Sequence, residues 1–270
     1  MGEGEPGVSA NVLGAILARK AEEVRRRRRR RGEPPAPVAR GAAAIVALRR
    51  PEGAPPRVIA EVKFRSPSAG AIRPWAPGEG VRVARAYEEG GAAAVSVLAD
   101  GPGFGGSPLQ VRRVAEAVSV PVLFKGFVID PVQLELASRV GASMVLLLVR
   151  ALEVRTLQAL VREARRLGLE PVVEAANERE LDVALATGAR IVGVNARDLR
   201  TFRVDPEAAR RCLERTPAGR VAVFMSGVRS GDDLARVAEG RADAVLVGEG
   251  LMREPAPAET LASWLEGAMR

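Results

Sequence analysis

The stretch Ser143 to Ala175, SMVLLLVRALEVRTLQALVREARRLGLEPVVEA, holds two near-continuous apolar runs joined by an amphipathic segment. Neither SMVLLLV (143–149) nor EPVVEA (170–175) shows the strict alternation of a half-solvated strand. Such runs mark parallel strands covered on both faces. The residues between them, Glu153 to Leu167, read as a helix that crosses from one strand to the next.

Working outward, the same unit recurs. Strand-like runs appear at VIAEVK (58–63), AAVSVLA (93–99), PVLFK (121–125), RIVGVN (190–195), VAVFMS (221–226) and DAVLVG (243–248), making eight with the first two. Helical segments fall between them, at Gly80–Glu89, Leu109–Val118, Pro131–Val140, Glu178–Ala186, Pro206–Leu213 and Gly231–Ala238. A further helix, Ala256–Met269, follows the last strand. Eight βα units in about 215 residues fit an α/β fold of the (β/α)8 TIM-barrel type better than an open doubly wound sheet. No Gly-x-Gly-x-x-Gly follows the first strand, which argues further against a dinucleotide site. Residues 1–50 read as an N-terminal helical extension of the same domain, and residues 51–270 as the catalytic barrel. In the extension, Val12, Leu13, Ile16 and Leu17 recur at helical spacing, with Val24 added later; a Pro-rich break (Pro34–Pro37) and a short helix (Ala42–Arg49) follow.

Composition narrows the chemistry. The chain has no histidine, so acid-base work falls to Lys, Glu, Asp, Tyr or Cys. Its single cysteine, Cys212, excludes an internal disulfide and a Cys-clustered metal site, and reads as a small buried residue. The net charge of +8 suggests a nucleic-acid partner until it is located: Arg25–Arg31 is an unbroken run of seven arginines, and the rest of the chain sums to about +1. Aromatic residues make up only 3% of the chain and do not interleave with the run, so a solvated helix end is the preferred reading and a nucleic-acid partner the disfavoured one. No apolar run reaches the roughly 18 to 20 residues of a membrane span, and MGEGEPGVSA lacks the core of a signal peptide, so the expected location is cytoplasmic.

In a barrel of this kind the active site lies at the C-terminal ends of the strands. Polar residues gather there. Glu61 and Lys63 close the first strand, Lys125 the third, Glu174 the fifth and Asn195 the sixth, with Arg197 just beyond; Ser226 and Gly227 end the seventh, and Gly248 and Glu249 the eighth. Side chains alternate along a strand, so Glu61 and Lys63 share a face with Ile59, and both reach the mouth if that face is the interior. Taken singly, each charge reads as a solvated or mutually paired strand end. Polar groups at the same end of several strands call for a common cause. The small residues of Met225–Gly227 and Val247–Gly250 sit where barrels commonly hold a phosphate, since glycine lets backbone N–H groups approach an anion. A phosphorylated small molecule is the substrate class this suggests.

The strings IAEVKFRSPSAG, SVLAD, FGGS, PVLFKGFVID, VNARDLRTFRVD and LVGEGLM, in this order and at these intervals, resemble those of the indole-3-glycerol phosphate synthases of tryptophan biosynthesis. The resemblance covers residues 11 to 253. It implies a cofactor-free and metal-free lyase that converts carboxyphenylaminodeoxyribulose phosphate to indole-3-glycerol phosphate, with loss of CO2 and water. Carried over by position, it implies Lys125 as the general acid and Glu174 as the later proton acceptor. Glu61 and Lys63 would place charge around the anthranilate ring, and Asn195 and Arg197 would orient the substrate. Ser66 and Pro67 would shape the covering loop, Phe104 and Phe127 would wall the aryl group, and Ser226, Gly227, Gly248 and Glu249 would lie at the phosphate. Clustered cations predict lowered lysine pKa values, opposed by a nearby carboxylate.

Two positions depart from the family pattern. Gly126 stands where Lys-Asp-Phe is usual, and Met225 where Glu-Ser-Gly is usual; each removes a carboxylate. The first takes away a support expected for Lys125, the second an acid that faces the substrate. These losses keep open a paralogue acting on a related aryl-amino sugar phosphate, and the arginine run keeps open a non-catalytic phosphate-binding or interaction protein. Monomer and homo-oligomer both remain compatible with the sequence.

Overall fold

The structure is a computed structural model that describes residues 12–30, 32–33, 35–36, 38, 40–198 and 203–269. The eight apolar runs are strands β1 (Arg57–Val62), β2 (Ala94–Leu98), β3 (Val122–Lys125), β4 (Met144–Leu148), β5 (Glu170–Ala175), β6 (Ile191–Asn195), β7 (Val221–Met225) and β8 (Ala244–Val247). Each pairs in parallel with its neighbour in sequence, and β1 closes on β8, so the sheet is a closed barrel. Alternation along β1 sorts its side chains: Val58, Ala60 and Val62 pack outward under the helices, whereas Ile59 joins an inner cluster with Leu123, Met144, Val172 and Leu246. Lys63 lies one residue past the strand that the sequence assigns it to.

Among the described residues two helices precede the barrel, α1 (Val12–Arg29) and α2 (Gly41–Leu48). Seven more connect consecutive strands: α3 (Glu79–Glu89), α4 (Pro108–Ala115), α5 (Pro131–Arg139), α6 (Val154–Arg166), α7 (Glu178–Ala186), α8 (Pro206–Glu214) and α9 (Gly231–Ala238). Short α10 (Glu249–Met252) and then α11 (Pro257–Gly267) follow β8. Their starts are specified locally. Ser107, Asp130, Asn177, Asp205 and Ser230 each accept a backbone N–H from the first turn of the helix they precede, and Pro108, Pro131 and Pro206 supply a preset φ where no N–H is needed. Because every such cap follows the C-terminal end of a strand, the caps also fix the loops that frame the mouth.

The N-terminal helices close the two ends. Ala44 and Leu48 of α2 belong to the inner cluster and stopper the floor. Gly41 is required for that fit, since a Cβ there would lie 2.6 Å from the backbone nitrogen of Glu170. At the other end Val12, Leu13 and Ile16 of α1 face the cavity at the mouth. Among the described residues the sequence reading misses the four-residue α10, a 3-10 turn at Val149–Ala151, and a small antiparallel ladder in the loop after β1, where Arg65–Ser66 pairs with Gly70–Ala71.

Candidate active site

Glu61 organises the mouth. Its carboxylate is only 2% exposed, and its two oxygens are divided between two ammonium groups: Oε1 pairs with Lys63 Nζ and Oε2 with Lys125 Nζ, both at 2.9 Å. Ser96 Oγ donates a further hydrogen bond to Oε2 at 3.3 Å. An apolar strand therefore carries a charge pair because the charges meet partners at its open end, which is the condition for burying them. Gly248 completes the packing: a Cβ there would lie 2.9 Å from Glu61 Oε1 and 3.0 Å from Lys63 Nζ.

Burial pushes the Glu61 carboxyl up, but Lys125 and Lys63 outweigh it and hold the pKa at about 2, against an ordinary 4.5. Burial pushes Lys125 down, and the Glu61 and Glu174 carboxylates more than reverse this, leaving its pKa above 10.5. The lowered value expected from a cluster of cations is thus corrected for Lys125, because the ammonium lies between two carboxylates. Glu174 moves the other way. Burial raises its carboxyl above 4.5, and Lys125, the Asn195 amide and Arg150 offset only part of the rise. The mouth accordingly holds a lysine that keeps its proton and a glutamate with an increased affinity for one.

The cavity at the mouth measures about 120 Å³. Glu61, Lys63, Lys125, Asn195 and Arg197 supply its polar lining, together with Ser226. Ser66, Pro67, Phe104 and Phe127 line it as well, and the two phenylalanine rings lie tilted at 49° with centroids 5.8 Å apart. Ser66 Oγ accepts the Ala69 N–H at 3.1 Å, which fixes the loop after β1. Glu174 does not line the cavity but reaches it through Asn195, whose Nδ2 donates to Glu174 Oε1 at 2.9 Å. Asn195 Oδ1 in turn accepts the Arg197 N–H at 3.0 Å, so one amide orients both neighbours. For Arg197, burial and nearby Arg229 lower the guanidinium pKa, with Glu249 opposing.

Gly227, Gly248 and Glu249 lie outside that cavity lining, at the turns after β7 and β8. Ser226 (φ 68°) and Gly227 (φ 93°) are consecutive left-handed residues, a conformation costly for serine and easy for glycine. The Glu249 carboxylate accepts from Arg253 Nη2 at 2.9 Å and from Arg253 Nε at 3.1 Å.

The two departures have different structural outcomes. Met225 is 1% exposed, joins the inner cluster, and lays its Sδ over the spot where a Cβ on Gly193 would stand. Its thioether fills barrel interior. At Gly126, the space beside the backbone is taken by Asp100, whose Oδ2 would sit 3.0 Å from an added Cβ and accepts the Phe127 N–H at 2.9 Å. Lys125 retains acidic support from Glu61 all the same.

Several contributors escape the sequence reading: Ser96 and Asp100, both inside or at the end of SVLAD, Lys20 on α1, and the Arg150–Glu180 pair at 3.3 Å. Asp100 was recognisable in principle, since it follows β2 at the same end as the others. The arginine run continues α1 to Arg29, and Arg25, Arg26, Arg28, Arg29 and Arg30 are exposed; Arg31 falls outside the described residues. Arg28 pairs with Asp130. Cys212 is buried, which pushes its thiol up to about 11 and leaves it inert. Among the described residues no helix is long and apolar enough to cross a membrane.

Comparison with known proteins bears on the family and the fold. A sequence profile of the family described as Indole-3-glycerol phosphate synthase matches residues 13–263. Indole-3-glycerol phosphate synthase 2 of Streptomyces coelicolor is 47% identical over 227 residues, covering 84% of this chain and 85% of its own. The indole-3-glycerol phosphate synthase of Mycobacterium ulcerans is 41% identical over 258 residues, covering 94% and 93%. Among solved structures, KGPDC from Streptococcus mutans superimposes with a TM-score of 0.61 at 12% identity, covering 79% of this chain and 97% of that one. The 3-hexulose-6-phosphate synthase of Salmonella typhimurium also gives 0.61, at 15% identity, covering 78% and 98%. At such identities the structural likeness speaks to the barrel alone.

Proposed function

The chain belongs to the indole-3-glycerol phosphate synthase family, and we propose that its barrel mouth closes the indole ring with Lys125 as acid and Glu174 as proton acceptor. The activity is that of a carbon–carbon lyase of tryptophan biosynthesis. It converts 1-(2-carboxyphenylamino)-1-deoxyribulose 5-phosphate to indole-3-glycerol phosphate, CO2 and water.

In the first step the ring carbon bearing the carboxylate attacks the ribulose carbonyl carbon, and Lys125 gives its proton to the carbonyl oxygen. An ammonium aimed at an oxygen that gains charge stabilises the transition state more than the ground state. The bond to the carboxylate then breaks, CO2 departs, and its bonding electrons restore the aromatic ring. The new hydroxyl takes up a proton from solvent and leaves as water, and Glu174 takes the proton that the adjacent ring carbon releases as the double bond of the five-membered ring forms. Glu61 holds both ammonium groups in place, Lys63 faces the departing carboxylate, and Phe104 and Phe127 wall the aryl ring. Asn195 and Arg197 orient the substrate under the loop of Ser66 and Pro67.

The observation that carries this reading is Glu61, which pairs with two lysines at 2.9 Å each at the rim of a cavity walled by two aromatic rings. For the phosphate we assign Ser226, Gly227, Gly248 and Glu249. The left-handed backbone at Ser226 and Gly227 supports this. With the Glu249 carboxylate engaged by Arg253, its contribution falls to the backbone N–H. The 1–50 extension is best taken as part of the same domain, supported by Ala44 and Leu48 in the inner core. Charged, phosphorylated substrate and product suit a cytoplasmic enzyme, and the exposed arginine run needs no nucleic acid to explain it.

The test is direct. Purified protein incubated with the carboxyphenylamino substrate is expected to develop indole fluorescence. No signal at high enzyme concentration contradicts the assignment.

A further inference from the structure

We propose that Asp100 is a positioning residue for the ring closure, setting the aryl wall and the helix above it through a single carboxylate. Asp100 is 4% exposed and stands two residues beyond the end of β2. It does not line the cavity. Its two oxygens point to different elements. Oδ2 accepts the Phe127 N–H at 2.9 Å, on the turn after β3, and Oδ1 pairs with Lys20 of α1.

Each partner bears on the site. Phe127 is one of the two tilted rings of the aryl wall. Lys20 is buried and is also held by Glu23 at 2.6 Å; burial pushes its pKa down, and Asp100 and Glu23 more than restore it, so it stays charged. One turn before Lys20 on the same helix is Ile16, which faces the cavity together with Leu13 and Val12. Asp100 therefore ties the roof of the cavity to one of its walls.

The glycine at 126 belongs to the same arrangement. A Cβ there would approach Asp100 Oδ2 to 3.0 Å, so the carboxylate reaches the Phe127 N–H through space that a side chain at 126 would contest.

This inference rests on the ring-closure reading, and its consequence is specific. Lys125 and Glu174 are untouched by the loss of Asp100, whereas the fit of the aryl group is not. Steady-state kinetics of Asp100→Asn, Lys20→Gln and the double variant test it, since Asn keeps an oxygen for the Phe127 N–H while removing the charge that Lys20 needs. Each single change is expected to raise KM roughly tenfold and to leave kcat within about threefold, with the double variant no worse than either single. Lys20→Arg should restore most of the lost affinity. Unchanged KM in the single variants, a fall in kcat in place of the rise in KM, or effects that multiply in the double variant would overturn the proposal. A role in stability alone would lower the melting temperature and leave KM as it was. If Asp100→Asn does not fold, Lys20→Gln, changed on a helix outside the barrel, decides the matter by the same criterion. Inactive wild-type protein would instead sink the ring-closure reading.

Discussion

The mouth and the floor of this barrel both bury carboxylates against cations, yet they are built for different ends. At the floor, Glu170 is fully buried and pairs with Arg190 and, at 3.3 Å, with Arg165. Asp243 there accepts from Arg241 Nη1 at 2.8 Å and from the Ala222 N–H at 2.9 Å. At the mouth, Glu61 pairs with two lysines at 2.9 Å each. A guanidinium keeps its proton in any protein environment, so arginine partners neutralise and fasten without exchanging protons. An ammonium, unlike a guanidinium, can pass its proton to an oxygen that gains charge in a transition state. The floor pairs lie under α2, while the mouth pairs line a cavity with aromatic walls. Burial and charge pairing alone do not identify an active site; the kind of cation and the presence of a cavity do.

That contrast can be broken by experiment. Glu174→Gln at the mouth is expected to lower kcat roughly 10²- to 10⁴-fold, the range carried by a positioned proton acceptor. Activity within a factor of two of wild type would remove Glu174 from the proton path. Glu61 sharpens the contrast through pH. Its carboxyl lies at about 2 in the folded chain against 4.5 ordinarily, so its stabilisation is present above pH 4.5 and is lost as pH falls toward 2. That is worth on the order of 3 kcal/mol. Urea unfolding of wild type and Glu61→Gln should therefore differ most near neutrality and converge in acid; a gap constant from pH 7 to pH 3 contradicts the ion-pair account. Glu174, whose carboxyl is raised, works in the opposite sense, its burial cost appearing as pH climbs through its folded value.

At the floor, Glu170→Gln should cost about 1 to 3 kcal/mol of stability, because it leaves one carboxylate fewer for two guanidinium groups. The kcat of the folded variant should hold, as read by denaturant midpoint and turnover on the same sample. A loss of turnover comparable to that of a mouth variant would erase the distinction drawn here. The smallest effect belongs to the arginine run. The double change Arg25→Gln with Arg29→Gln, at exposed positions, should stay within about 0.5 kcal/mol and leave turnover intact. A clear fall in turnover would give the run a part in catalysis.

What the sequence made legible follows from what each feature depends on. Strands such as MVLLL and IVGVN stand out because burial on both faces demands an apolar run. Glu61, Lys125, Glu174 and Asn195 stand out because charge at the end of such a run is costly without a reason. Asp100 was visible as an acid after β2, but its role, like that of Lys20, lies in a bridge from α1 through Asp100 to the turn after β3, elements far apart in the chain, and no local pattern announces it. Ser96 reads as one small residue in AAVSVLA until Glu61 is seen beside it. The direction of the Lys125 pKa shift was equally out of reach, since composition counts the cations at the mouth but not which carboxylate oxygen each one meets. Met225 and Gly126 were visible as departures, but only packing distinguishes a thioether that fills the interior from a glycine that makes room for an acid.

The central claim is that Lys125 supplies the proton for ring closure. The measurement closest to it is the rate at which Lys125→Met forms indole-3-glycerol phosphate from the carboxyphenylamino substrate, compared with wild type under saturating conditions. The account predicts a loss of at least about 10²-fold in kcat, with inorganic phosphate still bound as in wild type. Turnover at the wild-type rate would contradict it.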